Sequence, residues 1–116
     1  MLKIEAIVRP ERIHAITDAL EEAGCGGFHY LNVTGQGKQR GVEVFTGRGA
    51  QMVRAAGSKT LVVTVIPDDL KDAAVNAIIE AARSPGDGRI GDGKIIVSRV
   101  EDVIRVRTGE HGEAAL

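Results

Sequence analysis

Hydrophobic and polar positions alternate from the first residues of this chain. Leu2, Ile4, Ala6 and Val8 interleave with Lys3, Glu5 and Ile7, a period of two that predicts a strand. Pro10 follows where a first helical turn tolerates it. Ile13, Ile16, Ala19, Leu20 and Ala23 then recur at helical spacing, with Glu11 early and Gly24 as the stop. A second strand, about 28–33, is rich in aromatic and β-branched residues. From about 34 to 58 no period is clear, and Gly35, Gly37, Gly41, Gly47, Gly49 and Gly57 punctuate the segment. A loop this long inside a small domain is uncommon and points to function or disorder.

The near-continuous apolar run over 60–66 suits a central third strand. Pro67 and Asp68 open a second helix, whose stripe is Leu70, Ala74, Ala77, Ile78 and Ala81. Residues 84–88, Ser-Pro-Gly-Asp-Gly, read as loop. Strands are predicted over 94–100 and, shorter, over 103–107, with a tail after Thr108 that is expected to fray or await a partner. Strand–Pro–helix–strand therefore occurs twice. Two such units predict an α+β ferredoxin-like βαββαβ sandwich, one antiparallel sheet with both helices on one face. The other face needs cover. With few aromatics to supply it, self-association into a closed ring is the expectation.

Composition narrows the function classes. The 116 residues suit one domain. A net charge of −1 argues against non-specific nucleic-acid binding, so any anion site must be a local cluster. The single Cys25 excludes an internal disulfide, and no His/Cys cluster suggests a protein metal site. No apolar run reaches membrane-spanning length, and early charges at Lys3, Glu5 and Arg9 do not make a signal peptide; a cytoplasmic protein is expected. Glycine, at 15 residues, is about twice its usual share, which suggests that backbone makes some of the key contacts.

The candidate chemistry centres on Gly91-Asp92-Gly93-Lys94, with Arg105 and Arg107 two residues apart behind it. Glycines permit sharp turns whose N–H groups cradle anions, and guanidinium forks suit phosphate oxygens. A nucleotide-phosphate site is one reading. A plain Gly-Asp-Gly hairpin turn beside a charged strand fits the spacing equally well. A phosphohydrolase would need a positioned base, and Asp92 is the only carboxylate in the motif. An RNA-binding sheet would need aromatics on its central strands, but Phe28 and Tyr30 lie together on one predicted strand and the central strands carry none.

These stretches, in order, resemble the PII signal-transduction family of nitrogen regulators over nearly the full length. The opening Lys-Ile-Glu-Ala-Ile-Val-Arg-Pro, the segment from Val33 to Gly41, and the stretches Ile90 to Ile95 and Val103 to Glu110 carry the resemblance. It implies a single domain, 1–116, in a homotrimer, with a T-loop at about 36–58, a B-loop at about 83–93 and a C-terminal segment at about 101–116. It implies a regulator, not an enzyme, that binds ATP or ADP in clefts between subunits. It assigns nucleotide binding to Gly37, Lys38, Gln39, Val65, Gly91, Asp92, Gly93, Lys94, Arg105 and Arg107. It assigns a 2-oxoglutarate effector site to Gln39, Arg40, Gly41 and Lys59, with Gln39 touching Mg2+ only through Mg-ATP. The T-loop would engage a regulated enzyme, transporter or transcription regulator, without direct nucleic-acid binding or membrane insertion. The alternative is a PII-like regulator of carbon or transport that answers to other adenylates such as AMP or cyclic nucleotides. The sequence departs from the family pattern at three points. Met52 stands where members carry a modified tyrosine, the Ser-Pro-Gly-Asp-Gly run lengthens the B-loop, and His29 replaces a threonine near adenine.

Overall fold

The computed structural model describes residues 1–35, 42–46, 49–53 and 57–116. Six strands and two helices follow in order: β1 Leu2–Val8, α1 Ile13–Glu22, β2 Phe28–Gly35, β3 Val42–Thr46, β4 Gly49–Val53, β5 Gly57–Ile66, α2 Lys71–Ala82 and β6 Gly93–Arg99. Four of the strands form one antiparallel sheet in the order β2-β5-β1-β6, the ferredoxin-like arrangement. Both helices lie on one face.

The sequence period explains that placement. Along β1 the even positions Leu2, Ile4, Ala6 and Val8 are buried and the odd ones half-buried. On β5 Thr60, Val62, Thr64 and Ile66 are buried with them, against Ile16 and Leu20 of α1 and Ala74 and Ile78 of α2. Each such large side chain contributes roughly 1.5–3 kcal/mol by leaving water. Thr64 brings a hydroxyl into this layer and satisfies it by donating to the Gly27 carbonyl at 2.6 Å. Cys25 packs at the core's edge, where burial raises its thiol pKa and keeps it protonated.

Both helices are entered through a short 3-10 turn, Pro10–Arg12 and Asp68–Leu70, so the prolines stand one turn ahead of the α-helices. Helix α1 ends as its glycine predicts. Gly24 takes φ 91°, its N–H donates to Glu21, and the Cys25 N–H donates to Leu20, a Schellman close.

Three expectations are corrected. Within the predicted loop of 34–58, β2 runs on to Gly35, β5 begins at Gly57, and β3 and β4 pair as a separate antiparallel ladder. The Val-Glu-Val-Phe-Thr sequence of β3 favours strand, but glycines on both sides hide its short period. Residues 103–107 do not form a fifth strand. They enter a turn closed by the Gly109 N–H on the Arg105 carbonyl at 2.8 Å, leaving one isolated bridge between Ile104 and His111. Gly109 at φ 71° supplies the reversal, and Asp102 accepts from the Val103 and Gly112 N–H groups at the neck. The tail accordingly ends in an ordered turn, Gly112–Ala115, in place of a frayed end.

Among the described residues, no layer covers the sheet's second face in the single chain. Register puts Ile7, Leu61, Val63, Leu31 and Ile96 on it, and Leu31 and Ile96 are 47% and 44% exposed.

Candidate functional site

The connection from α2 to β6 is where most of the motif residues meet. It leaves α2 at Arg83, turns through positive-φ Gly86, Gly88 and Gly91, and joins β6 at Gly93. Gly93 pairs with Val8 so closely that a Cβ would lie 1.8 Å from the Ile7 carbonyl oxygen. The loop's exit is thereby pressed onto the end of β1.

Asp92 ties this loop together. One carboxylate oxygen accepts from the Ser84 hydroxyl at 2.6 Å and from Arg9 Nε at 3.1 Å. The other accepts from the backbone N–H of Ser84 at 2.9 Å and of Arg89 at 2.8 Å. The Ser84 hydroxyl, the two N–H groups and Arg9 all favour the charged form, so the carboxyl titrates far below the usual carboxylate range. Asp92 is thus a knot inside the loop, with both oxygens engaged, and not an available general base.

Two cations, Arg9 just after β1 and Lys59 on β5, then hold the loop's carbonyls. Arg9 donates through Nη2 to the Ile90 oxygen at 2.9 Å, and Lys59 donates through Nζ to the Gly91 oxygen at 2.5 Å. Lys59 reaches this point because β5 carries it to the same end of the sheet, opposite Val33. Lys94 pairs with Ile7 on the uncovered face beside it. Lys59, Gly91, Gly93 and Lys94 therefore come together as a positive corner beside exposed glycine backbone, suited to an anion.

The remaining predicted residues do not join them. Val65 pairs with Lys3, and the C-terminal segment leaves β6 after Arg99 opposite Leu2, at the other end of the sheet. At ~3.3 Å per residue, Gly93 and Arg99 stand roughly 20 Å apart. Arg105 donates to Glu110 at 3.1 Å and to the Leu116 carbonyl at 3.2 Å, both within the tail. Arg107 is exposed and makes no polar contact with the loop among the described residues. Gly37, Lys38, Gln39, Arg40 and Gly41 lie outside the described residues, as does the single-residue context of the Met52 side chain. His29 is exposed on the uncovered face opposite Val63.

Arg9 and Ser84 were not among the predicted site residues. Their roles depend on contacts with Asp92 across 83 and 8 positions. Arg9 offered no local signal. Ser84, opening a proline-glycine loop, offered a faint one, since serine at loop starts caps free N–H groups or anchors turns.

A two-helix, four-strand sandwich with a cationic, glycine-lined corner at one sheet end defines a ferredoxin-like α+β domain with a place suited to an anion. Known proteins give that domain its family. The family described as nitrogen regulatory protein P-II matches residues 1–110. Proteins called nitrogen regulatory protein P-II from Rhodobacter capsulatus and Rhizobium meliloti are each 44% identical over 117 aligned positions, covering 100% of both chains. Nitrogen regulatory protein P-II 2 of Methanothermobacter thermautotrophicus is 40% identical, over 100% of this chain and 97% of that protein. The crystal structure of Arabidopsis thaliana PII bound to citrate superposes with a TM-score of 0.79 at 39% identity, covering 99% of this chain and 91% of that one. The chain belongs to the P-II family of nitrogen regulatory signal-transduction proteins. No helix among the described residues is long and apolar enough to cross a membrane.

Proposed function

We propose that this protein senses adenine nucleotides and 2-oxoglutarate and passes the result to target proteins of nitrogen metabolism. Three copies form a ring, and each cleft between neighbours takes ATP or ADP. The loop with Gly91, Asp92, Gly93 and Lys94 from one copy holds the phosphates, with Asp92 acting through the loop's shape. Arg105 and Arg107 of the next copy close on the same phosphates, and Val65 meets the adenine. With Mg-ATP in place, Gln39 completes the oxygen shell of the metal, and Lys59, Arg40 and Gly41 hold the 2-oxoglutarate carboxylates. The segment of 36–58 then presents a different surface to its target, because the ligand contacts its two ends.

The observation that carries this reading is the contact of Lys59 with Gly91. It puts the lysine expected to meet the effector's carboxylate on the loop expected to meet the phosphates. Separation of the two groups of site residues by the length of the sheet supports the ring. A head-to-tail interface brings one copy's loop to the next copy's tail, and such an interface forms a ring when its rotation closes. The uncovered apolar face, with Leu31 and Ile96 exposed, gives the copies a surface to bury.

Calorimetry on the purified protein tests the proposal. Mg-ATP should bind alone, and 2-oxoglutarate should bind only when Mg-ATP is present. Failure of both ligands to bind would remove the reading.

A further inference from the structure

Between α2, the first residues of β6 and the loop of 84–92 lies an open hollow of about 660 Å³. It is on the helix side of the sheet, because Ile95 pairs with buried Ala6 and packs against the core. It adjoins the cationic corner and shares Gly93 and Lys94 with it, but its apolar floor lies on the opposite face of the sheet from Ile7. The floor is apolar, built from Val75, Ile78, Ile79 and Ile95. Ile79 is 36% exposed there, and Ile90 at the lip is 82% exposed. Apolar surface is thus presented to solvent in a concavity of small-molecule size.

The roof is the lengthened loop, which contributes Asp87, Gly88 and Arg89. Arg83 and Arg89 both line the hollow, and neither side chain has an ion-pair partner among the described residues. The Arg83 stem packs under Gly88, whose Cβ position would lie 3.1 Å from Arg83 Cγ. Of the two carboxylates in the lining, Asp92 is already engaged by four donors. The lining therefore carries three cations, Arg83, Arg89 and Lys94, against one available carboxylate, Asp87.

We propose that this hollow is a second ligand site, for a small amphiphilic carboxylate. An aliphatic chain lies on the Val75, Ile79 and Ile95 floor, and the carboxylate pairs with Arg83 and Arg89. A neutral ligand of the same shape gains the floor but not the rim, and a fully polar anion gains the rim but not the floor. The pairing is charge-assisted, and Arg can meet a carboxylate with two parallel N–H donors.

The test is a titration of octanoate into the full-length protein without nucleotide, read by calorimetry, with octanol as the neutral control. Octanoate should bind, and octanol should bind about tenfold more weakly or worse. The double variant Arg83→Ala/Arg89→Ala should weaken octanoate about tenfold. Ile79→Glu, at an exposed position, should abolish binding. Absence of octanoate binding at millimolar concentration, equal affinity for octanol, or undiminished binding in either variant would each overturn the proposal. The arginine variant changes only surface side chains, so it remains decisive should Ile79→Glu fold poorly. Nucleotide binding is not part of the readout, so this result stands apart from that of the Mg-ATP titration.

Discussion

Gly93 leaves no room for a side chain. Its φ of 121° lies where L-residues are strained, and its Cβ position coincides with the Ile7 carbonyl. Relief would require β6 to part from β1 at their shared end. Gly93→Ala is therefore expected to cost ~3 kcal/mol or more, combining backbone strain with overpacking. Urea denaturation monitored by circular dichroism measures that loss. Gly86 at φ 80° has nothing near its Cβ position, so there alanine should meet the conformational cost alone. A larger effect at Gly86 than at Gly93 would mean that contact with β1 is not what fixes the loop's exit.

At the scale of elements, the loop of 84–92 is held by one carboxylate and two cations, Arg9 at the end of β1 and Lys59 on β5. Asp92 titrates below its unfolded value, so its ionised form stabilises the folded loop. That stabilisation is complete above the unfolded aspartate pKa of about 4 and is lost as pH falls below it. Asp68, bonded to the N-terminal amine and Arg99, and Asp102, bonded to His111, are shifted the same way. Stability should therefore fall between about pH 4 and pH 2. Asp92→Asn should be less stable at neutral pH and show a shallower acid loss. Chemical denaturation at stepped pH checks both, and parallel curves for the two proteins would count against the knot.

The main elements were legible because the core enforces a period of two on β1 and helical spacing on α1 and α2. The ladder of β3 and β4 was not, because glycines break its pattern into fragments of five residues. The segment of 103–107 alternates like a strand, Val-Ile-Arg-Val-Arg, yet turns, because Gly109 and the Asp102 neck draw it back on itself. Glycines 91 and 93 were readable as a tight turn near a lysine. That Lys59 and Arg9 hold the turn's carbonyls was not, since both contacts join residues far apart in sequence.

At the scale of the whole molecule, the predicted site residues fall into two groups, one at the loop end of the sheet and one in the segment that leaves the sheet's opposite end. If each binding site is completed by a neighbour, damage to one end can be repaired by a copy damaged only at the other. Lys94→Ala and Arg107→Ala should each weaken ATP binding in a uniform assembly. Unfolded together and refolded as mixed rings, they should recover normal affinity in roughly a quarter of the sites, since each interface draws its two sides independently. Filter binding with labelled ATP reads that fraction, and no recovery would mean that the arginine and the lysine serve separate sites. The Ser84–Asp92 tie has a practical corollary. It joins the loop's two ends to each other, so extra residues spliced in at 85–88 lengthen a segment that is already closed, at a cost that grows only logarithmically. A peptide tag placed there would hang from a base that the tie keeps closed, directly beside the residues expected to meet ligand, so a reporter at 85–88 would respond to events at the loop.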